Sequence, residues 1–185
     1  MSRKQKGVLA TVTEEEDVPK HPTISFVPFA QKGVGLHLLA VLRKVPGGRS
    51  ANVAEQVRAM SVLAHRICDD GMVQEDYDTG SVIVWFRVPD AGDRAPVFMD
   101  AHLDTVYDLP EGEVPEPVID GNNHIQSPWL DNRIGCALLL HVGAMYFDYA
   151  LDAKRDLALV FSGNEEHAEI DKPRAAAVIA KRNKW

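Results

Sequence analysis

The stretch VFMDAHLDTVYD, residues 97–108, decides how the rest of the chain is read. Its apolar start has the composition of a buried strand, and His102 and Asp104 stand at the end of that run. Side chains two apart in an extended chain point the same way. An imidazole and a carboxylate therefore converge at a strand end, where open α/β sheets place their ligands. An ordinary hydrogen-bonded His–Asp pair is the commoner product of such spacing, so its meaning rests on the flanking sequence.

Working outward, SVIVWFRV (81–88) is β-branched and aromatic and reads as a strand ended by Pro89. Asp90 to Arg94 then turn the chain into the run that ends at His102, so the two runs are expected to form a hairpin or an adjacent pair in one sheet. Upstream, TISFVPFAQKG is either a short strand or an irregular lead-in. Helical spacing covers Leu36 to Val45 and breaks at Pro46-Gly47-Gly48. A second helix spans ANVAEQVRAMSVLAHRICDD (51–70), with Ser50 as N-cap and Gly71 closing it. Downstream, residues 109–128 form a long connection with a turn at Asp120-Gly121-Asn122-Asn123. NRIGCALLLHVGAMYFDYAL (132–151) is a helix apolar nearly all round, hence buried. DLALVFS (156–162) has the content of a central strand and runs straight into Gly163-Asn164-Glu165-Glu166. A last helix starts at Asp171 as N-cap with Pro173 in its first turn, and continues through AAAVIAKR. His65, His124 and His141 read as a helix-surface, a solvent-facing loop and a structural histidine. The alternation indicates an α/β fold: a three-layer α/β/α arrangement on a mixed, mostly parallel central sheet.

Composition narrows the function classes. The 185 residues are 45% hydrophobic and 25% charged, the profile of one globular domain. A net charge of -7 argues against nucleic acid or an anionic membrane as the main partner. Cys68 and Cys136 cannot build a disulfide framework, which points to a reducing compartment. No apolar run approaches the roughly 20 residues of a membrane helix. The start MSRKQKGVLATVTEEEDVPKHP has only Val8-Leu9-Ala10 as an apolar centre, too short for a secretory signal. A cytoplasmic protein is expected, with residues 1–22 a charged, poorly ordered extension and residues 23–185 the folded domain.

His102 with Asp104, Asp131, and Glu165 with Glu166 fall at strand ends or at a helix start. Hydrolytic zinc sites use His and carboxylate ligands and keep a position open for water. Paired metals clamp the attacking and the leaving oxygen together. Adjacent glutamates also arise without any role in an acidic chain, as Glu14-Glu15-Glu16 show. From the residues alone, a metal site and a solvated acidic surface both stand.

In order, HLDTV, DNRIG and NEE resemble the motifs of the co-catalytic zinc exopeptidases, the superfamily of aminoacylases, tripeptidase T, glutamate carboxypeptidases and glutamyl aminopeptidases. The match runs over roughly residues 34 to 170, and LLAVLRKVPGG resembles the family's first helix and following loop. The resemblance implies a metal-dependent hydrolase cleaving an amide or peptide bond with a water bridging two zinc ions, cobalt or manganese being alternatives. It implies His102, Asp131 (bridging) and Glu166 as metal ligands, Glu165 as general base, and Asp104 behind His102 orienting the ring. His167 departs from the small or apolar residue usual there, and Asp100 is given no role. The implied substrate is a peptide or an N-acyl amino acid.

A third carboxylate ligand and a distal histidine come later in the family's pattern than Trp185. The expectation is therefore an incomplete catalytic domain that binds metal weakly, has little activity alone and self-associates through an exposed sheet edge. Two other readings stay open: a short relative without catalysis that serves as a binding module, and a half-site completed by a second chain.

Overall fold

The computed structural model describes residues 24–26, 33–48, 53–106, 116–121, 124–149, 153–166 and 174–184. The N-terminal extension, Ser50, His167, Asp171 and Pro173 lie outside them. In chain order the elements are β1 (Ile24–Phe26), α1 (Val34–Lys44), α2 (Val53–Ile67), β2 (Met72–Asp76), β3 (Ser81–Phe86), β4 (Val97–His102), β5 (Val118–Ile119), β6 (Ile125–Ser127), α3 (Leu130–Tyr149), β7 (Leu157–Ser162) and α4 (Ala175–Arg182). The expected helices and the two strands that carry the motifs are all present.

A four-stranded sheet in the order β2-β3-β7-β4 forms the centre. Its two faces follow from the strand period. Val82, Val84 and Phe86 of β3, with Leu157, Leu159 and Phe161 of β7, pack against α1, α2 and α3. Ile83, Trp85, Ala158 and Val160 face the other way and meet Ile179 of α4. Helices thus cover both faces, which is the three-layer α/β/α arrangement.

Three details differ from expectation. The sheet is mixed, but β4–β7 is its parallel pair, while β2–β3 and β3–β7 are antiparallel, so among the described strands it is not mostly parallel. Nor do β3 and β4 form a hairpin or an adjacent pair, because β7 lies between them. Burial explains the order: every residue of β3 and β7 is buried, so both take central places, whereas β4 exposes Val97 and Met99 at the edge. The hairpin partner of β3 is instead β2, whose sequence MVQED carries no strand signal because most of it faces solvent.

Residues 109–128 are not a bare connection. β5 and β6 fall there and pair with β1 in a small antiparallel sheet of order β1-β6-β5. Ile125 and the buried Trp129 join this sheet to Val34, Leu38 and Leu42 of α1 and Ala137 of α3. The Trp129 ring lies so close to Gly47 that a Cβ there would sit 2.1 Å from it, so the loop after α1 needs glycine at that point. Among the described residues, no helix is long and apolar enough to cross a membrane.

Candidate metal centre

The parallel pairing of β4 and β7 assembles the site. His102 stands opposite Ser162, and the Leu103 N–H donates to the Ser162 carbonyl at 2.6 Å. Both strands therefore leave the sheet at the same edge, and the segments after them run side by side. Gly163 donates its N–H to Ser81 Oγ at 3.2 Å, and a Cβ on it would lie 2.5 Å from the Gly80 carbonyl oxygen, so the backbones touch here. Asn164 follows at φ 60°, a left-handed conformation that asparagine tolerates better than most residues, and turns the chain into Glu165 and Glu166.

Asp104, buried at 3% exposure, ties the two segments together. Its Oδ2 accepts the Glu166 N–H at 2.8 Å, and its Oδ1 lies 3.5 Å from His102 Nδ1. The same ring nitrogen is 3.0 Å from the Asp104 main-chain carbonyl. Nδ1 is thereby occupied as a donor, which leaves Nε2 to face outward. Burial pulls the His102 imidazole down, but the hydrogen bonds and charge of Asp104, joined by the charge of Glu165, outweigh it and lift it to about 9. For Asp104, burial raises the carboxyl, and its bonds to His102 and to the Glu166 and Glu165 backbones win and hold it below the usual range.

His102, Glu165 and Glu166 bring one ligand atom each to within 4.8 Å of one another. His102 Nε2 lies 3.9 Å from Glu166 Oε1 and 3.5 Å from Asp131 Oδ1. Two donors about 2.1 Å from a tetrahedral ion stand about 3.4 Å apart. These separations would admit a metal ion, and the donor set is one imidazole nitrogen among carboxylates. Crowding shows in Glu166, whose carboxyl is raised by burial and then by Glu165, Asp131 and Asp104, against the pull of His102.

Each predicted site residue can now be placed. His102, Glu166 and Glu165 converge, so the residue expected as a base stands within the donor group itself. Asp104 lies on the Nδ1 side of the His102 ring. Asp131 is at the margin: it touches the His102 ring, its side chain is 71% exposed, and it is not part of the mutually close group. It does not open the helix proper, since Asp131 and Asn132 are both non-helical. Asn132 makes the cap, its Oδ1 accepting the Gly135 N–H at 3.0 Å. His65 is on the surface and His141 packs against His37 inside the fold, whereas His124 is half-buried and paired with Asp120 Oδ2 at 2.8 Å, not solvent-facing.

Residues whose part was not anticipated support the site from below. Arg133 is wholly buried and donates from Nη2 to the Pro46 carbonyl at 2.7 Å. Burial lowers its guanidinium to about 10, with Cys136 and Asp104 acting the other way, so it stays a cation at neutral pH. Burial holds the Cys136 thiol at about 12, so it is neutral, and Asp104 acts on Arg133 as a charge at longer range. The Cys136 thiol donates to the His102 carbonyl, and Thr105 Oγ1 accepts the Gly48 N–H at 2.7 Å while Gln56 binds the Gly48 carbonyl. The loop after α1 is thus tied to the segment after β4 and to α3. Arg174, just before α4, places Nη1 2.6 Å from Glu165 Oε1.

No protein-family model matches the chain, and no curated protein matches it. Among solved structures it is similar to a tripeptidase from Staphylococcus aureus, with TM-score 0.52 and 12% identity over 69% of this chain and 35% of that one. It is also similar to LapB from Legionella pneumophila, with TM-score 0.47 and 16% identity over 72% of this chain and 34% of that one. A glutaminyl cyclase from Macrostomum lignano gives TM-score 0.45 and 19% identity over 86% and 51%. Of the three, the tripeptidase alone is near enough to carry an argument, and it shows the fold. The chain spans about a third of the tripeptidase's length.

Proposed function

We propose that the cluster at the ends of β4 and β7 binds a divalent metal ion, zinc by preference, and serves hydrolysis of amide or peptide bonds in the manner of co-catalytic zinc exopeptidases. The observation that carries the reading is the convergence of His102, Glu165 and Glu166 within 4.8 Å, with the far side of the imidazole already fixed by Asp104. The tripeptidase likeness supports the scaffold. HLDTV, DNRIG and NEE support the chemistry.

In this reading His102 Nε2 and a Glu166 oxygen are the protein donors. Asp104 orients the His102 ring and fixes the Glu166 backbone, so one buried carboxylate sets both ligands. Asp131, largely exposed with its Oδ1 3.5 Å from His102 Nε2, would hold a second ion in this reading. Glu165 takes the proton from the attacking water and passes it to the leaving amine. A bound ion supplies Lewis acidity, polarising the scissile carbonyl and easing loss of the water's proton. A peptide or an N-acyl amino acid is the substrate class.

Donor count sets the strength. Catalytic zinc sites use about three protein ligands per ion, and His102, Asp131 and Glu166 shared between two ions fall short of that. Weak binding and little turnover by this chain alone are therefore part of the proposal. Titration with Co2+ followed by visible absorption tests it. Ligand-field bands are expected in the wild type and not in His102→Ala or Glu166→Gln; equal bands in all three would overturn the assignment.

A further inference from the structure

Glu165 is engaged twice. Its carboxylate belongs to the donor group of His102, Glu165 and Glu166, and its Oε1 is also held 2.6 Å from Arg174 Nη1. Arg174 comes from outside the motif segments, at the N-cap of α4, and 66% of its side chain is exposed. Of the other positive groups at the site, Arg133 is buried and donates to the Pro46 carbonyl, and the His102 ring is held against Asp104. Arg174 can move: its stem is long, its surroundings are solvent, and an exposed ion pair is a weak tether.

The charges around it give the contact a purpose. Four carboxylates, Asp104, Glu165, Glu166 and Asp131, gather about the one imidazole of His102, whose single charge when protonated does not balance them, so a further positive charge relieves their repulsion. An ion entering beside His102 Nε2 would supply that charge. It would also draw on the Glu165 carboxylate that the guanidinium now holds, and two cations at one carboxylate repel each other in turn.

We propose that Arg174 is a displaceable stand-in for the metal. It neutralises Glu165 when no ion is bound, and it must release Glu165 before that residue can act in the centre. Arg174 and the ion thus compete for the charge of one carboxylate, which acts as the base and not as a ligand. The inference rests on the metal-site reading and adds an antagonist to it, one carried on α4 and not on either motif. No covalent step is involved; one ion pair is exchanged for another contact.

Calorimetric titration of Zn2+ into chelator-stripped wild type, Arg174→Ala, Arg174→Lys and His102→Ala tests it. Removing an exposed competing charge should tighten Zn2+ binding by about two- to five-fold in Arg174→Ala. The gain should shrink in high salt, because exposed charges are screened. Arg174→Lys, which keeps the charge, should stay near the wild type. Unchanged or weaker binding in Arg174→Ala, while His102→Ala abolishes it, would overturn the competition and leave the metal site standing. Equal tightening in Arg174→Lys would overturn it too, since charge would then not be the cause. Wild-type affinity in His102→Ala would remove the metal site and this inference with it.

Discussion

Asp104→Ala is the substitution that probes the joint between the two motif segments. It removes the carboxylate that accepts the Glu166 N–H at 2.8 Å, and hydrogen bonds to a charged partner are worth about 1.5–3 kcal/mol. The His102 ring is not orphaned, because the Asp104 main-chain carbonyl at 3.0 Å survives the change. The 3.5 Å approach of Oδ1 to Nδ1 is long for a hydrogen bond, so its contribution is mainly that of the opposite charge. Part of the loss is returned, since a buried negative charge beside Glu166 disappears. The sum is a destabilisation of about 2 kcal/mol, or about 4–8 °C in melting temperature for a chain of this size. Thermal unfolding followed by circular dichroism, with chelator present, reads it. Asp104→Asn should lose less than half as much, because its side-chain oxygen still accepts the Glu166 N–H. The imidazole should nonetheless fall from about 9 in that variant, which proton NMR of the ring follows. A melting temperature within about 1 °C of the wild type for Asp104→Ala would refute the reasoning.

Other outcomes follow from the same contacts. Gly163→Ala forces a Cβ to within 2.5 Å of the Gly80 carbonyl, a backbone atom, and should cost about 2 kcal/mol or more in urea denaturation; a neutral result would mean that the turn after β2 does not press on the segment after β7. Arg133→Met keeps much of the volume but strips the Pro46 carbonyl of its donor, for about 1–3 kcal/mol by the same assay, and a variant as stable as the wild type would contradict its role. His102 gives the pH dependence. Its folded value of about 9 lies above its unfolded value of 6.5, so its contribution is complete below the lower value and is lost as pH rises through the upper. Metal-free protein should therefore lose stability across that window, seen as a falling urea midpoint, and Asp104→Asn should flatten the fall.

The fold was legible wherever burial imposes a period. β7 is buried on both faces and reads as a continuous apolar run, and α2 shows its core stripe at intervals of three and four. β2 was hidden because an exposed edge strand needs no apolar pattern. The order of strands was hidden for another reason: β7 separates β3 from β4 because two wholly buried strands compete for the centre, which no local window contains. HLDTV and NEE stood out as candidate site segments because they follow buried strands, and DNRIG because it stands at a helix start. Which of their residues would meet was not legible. Glu165 enters the donor group and Asp131 stays at its rim because of how the backbone turns at Asn164 and Asn132. Arg174 left no trace beside the motifs, since folding alone brings the start of α4 back to Glu165.

The most direct test of a metal centre at the ends of β4 and β7 is a Zn2+ titration of the metal-free chain, observed by NMR at the ring of His102. Weak binding is expected, in the micromolar range or above, that shifts His102 resonances first and leaves His65 and His124 untouched. Zinc that moves the other histidines while His102 stays unchanged would contradict it.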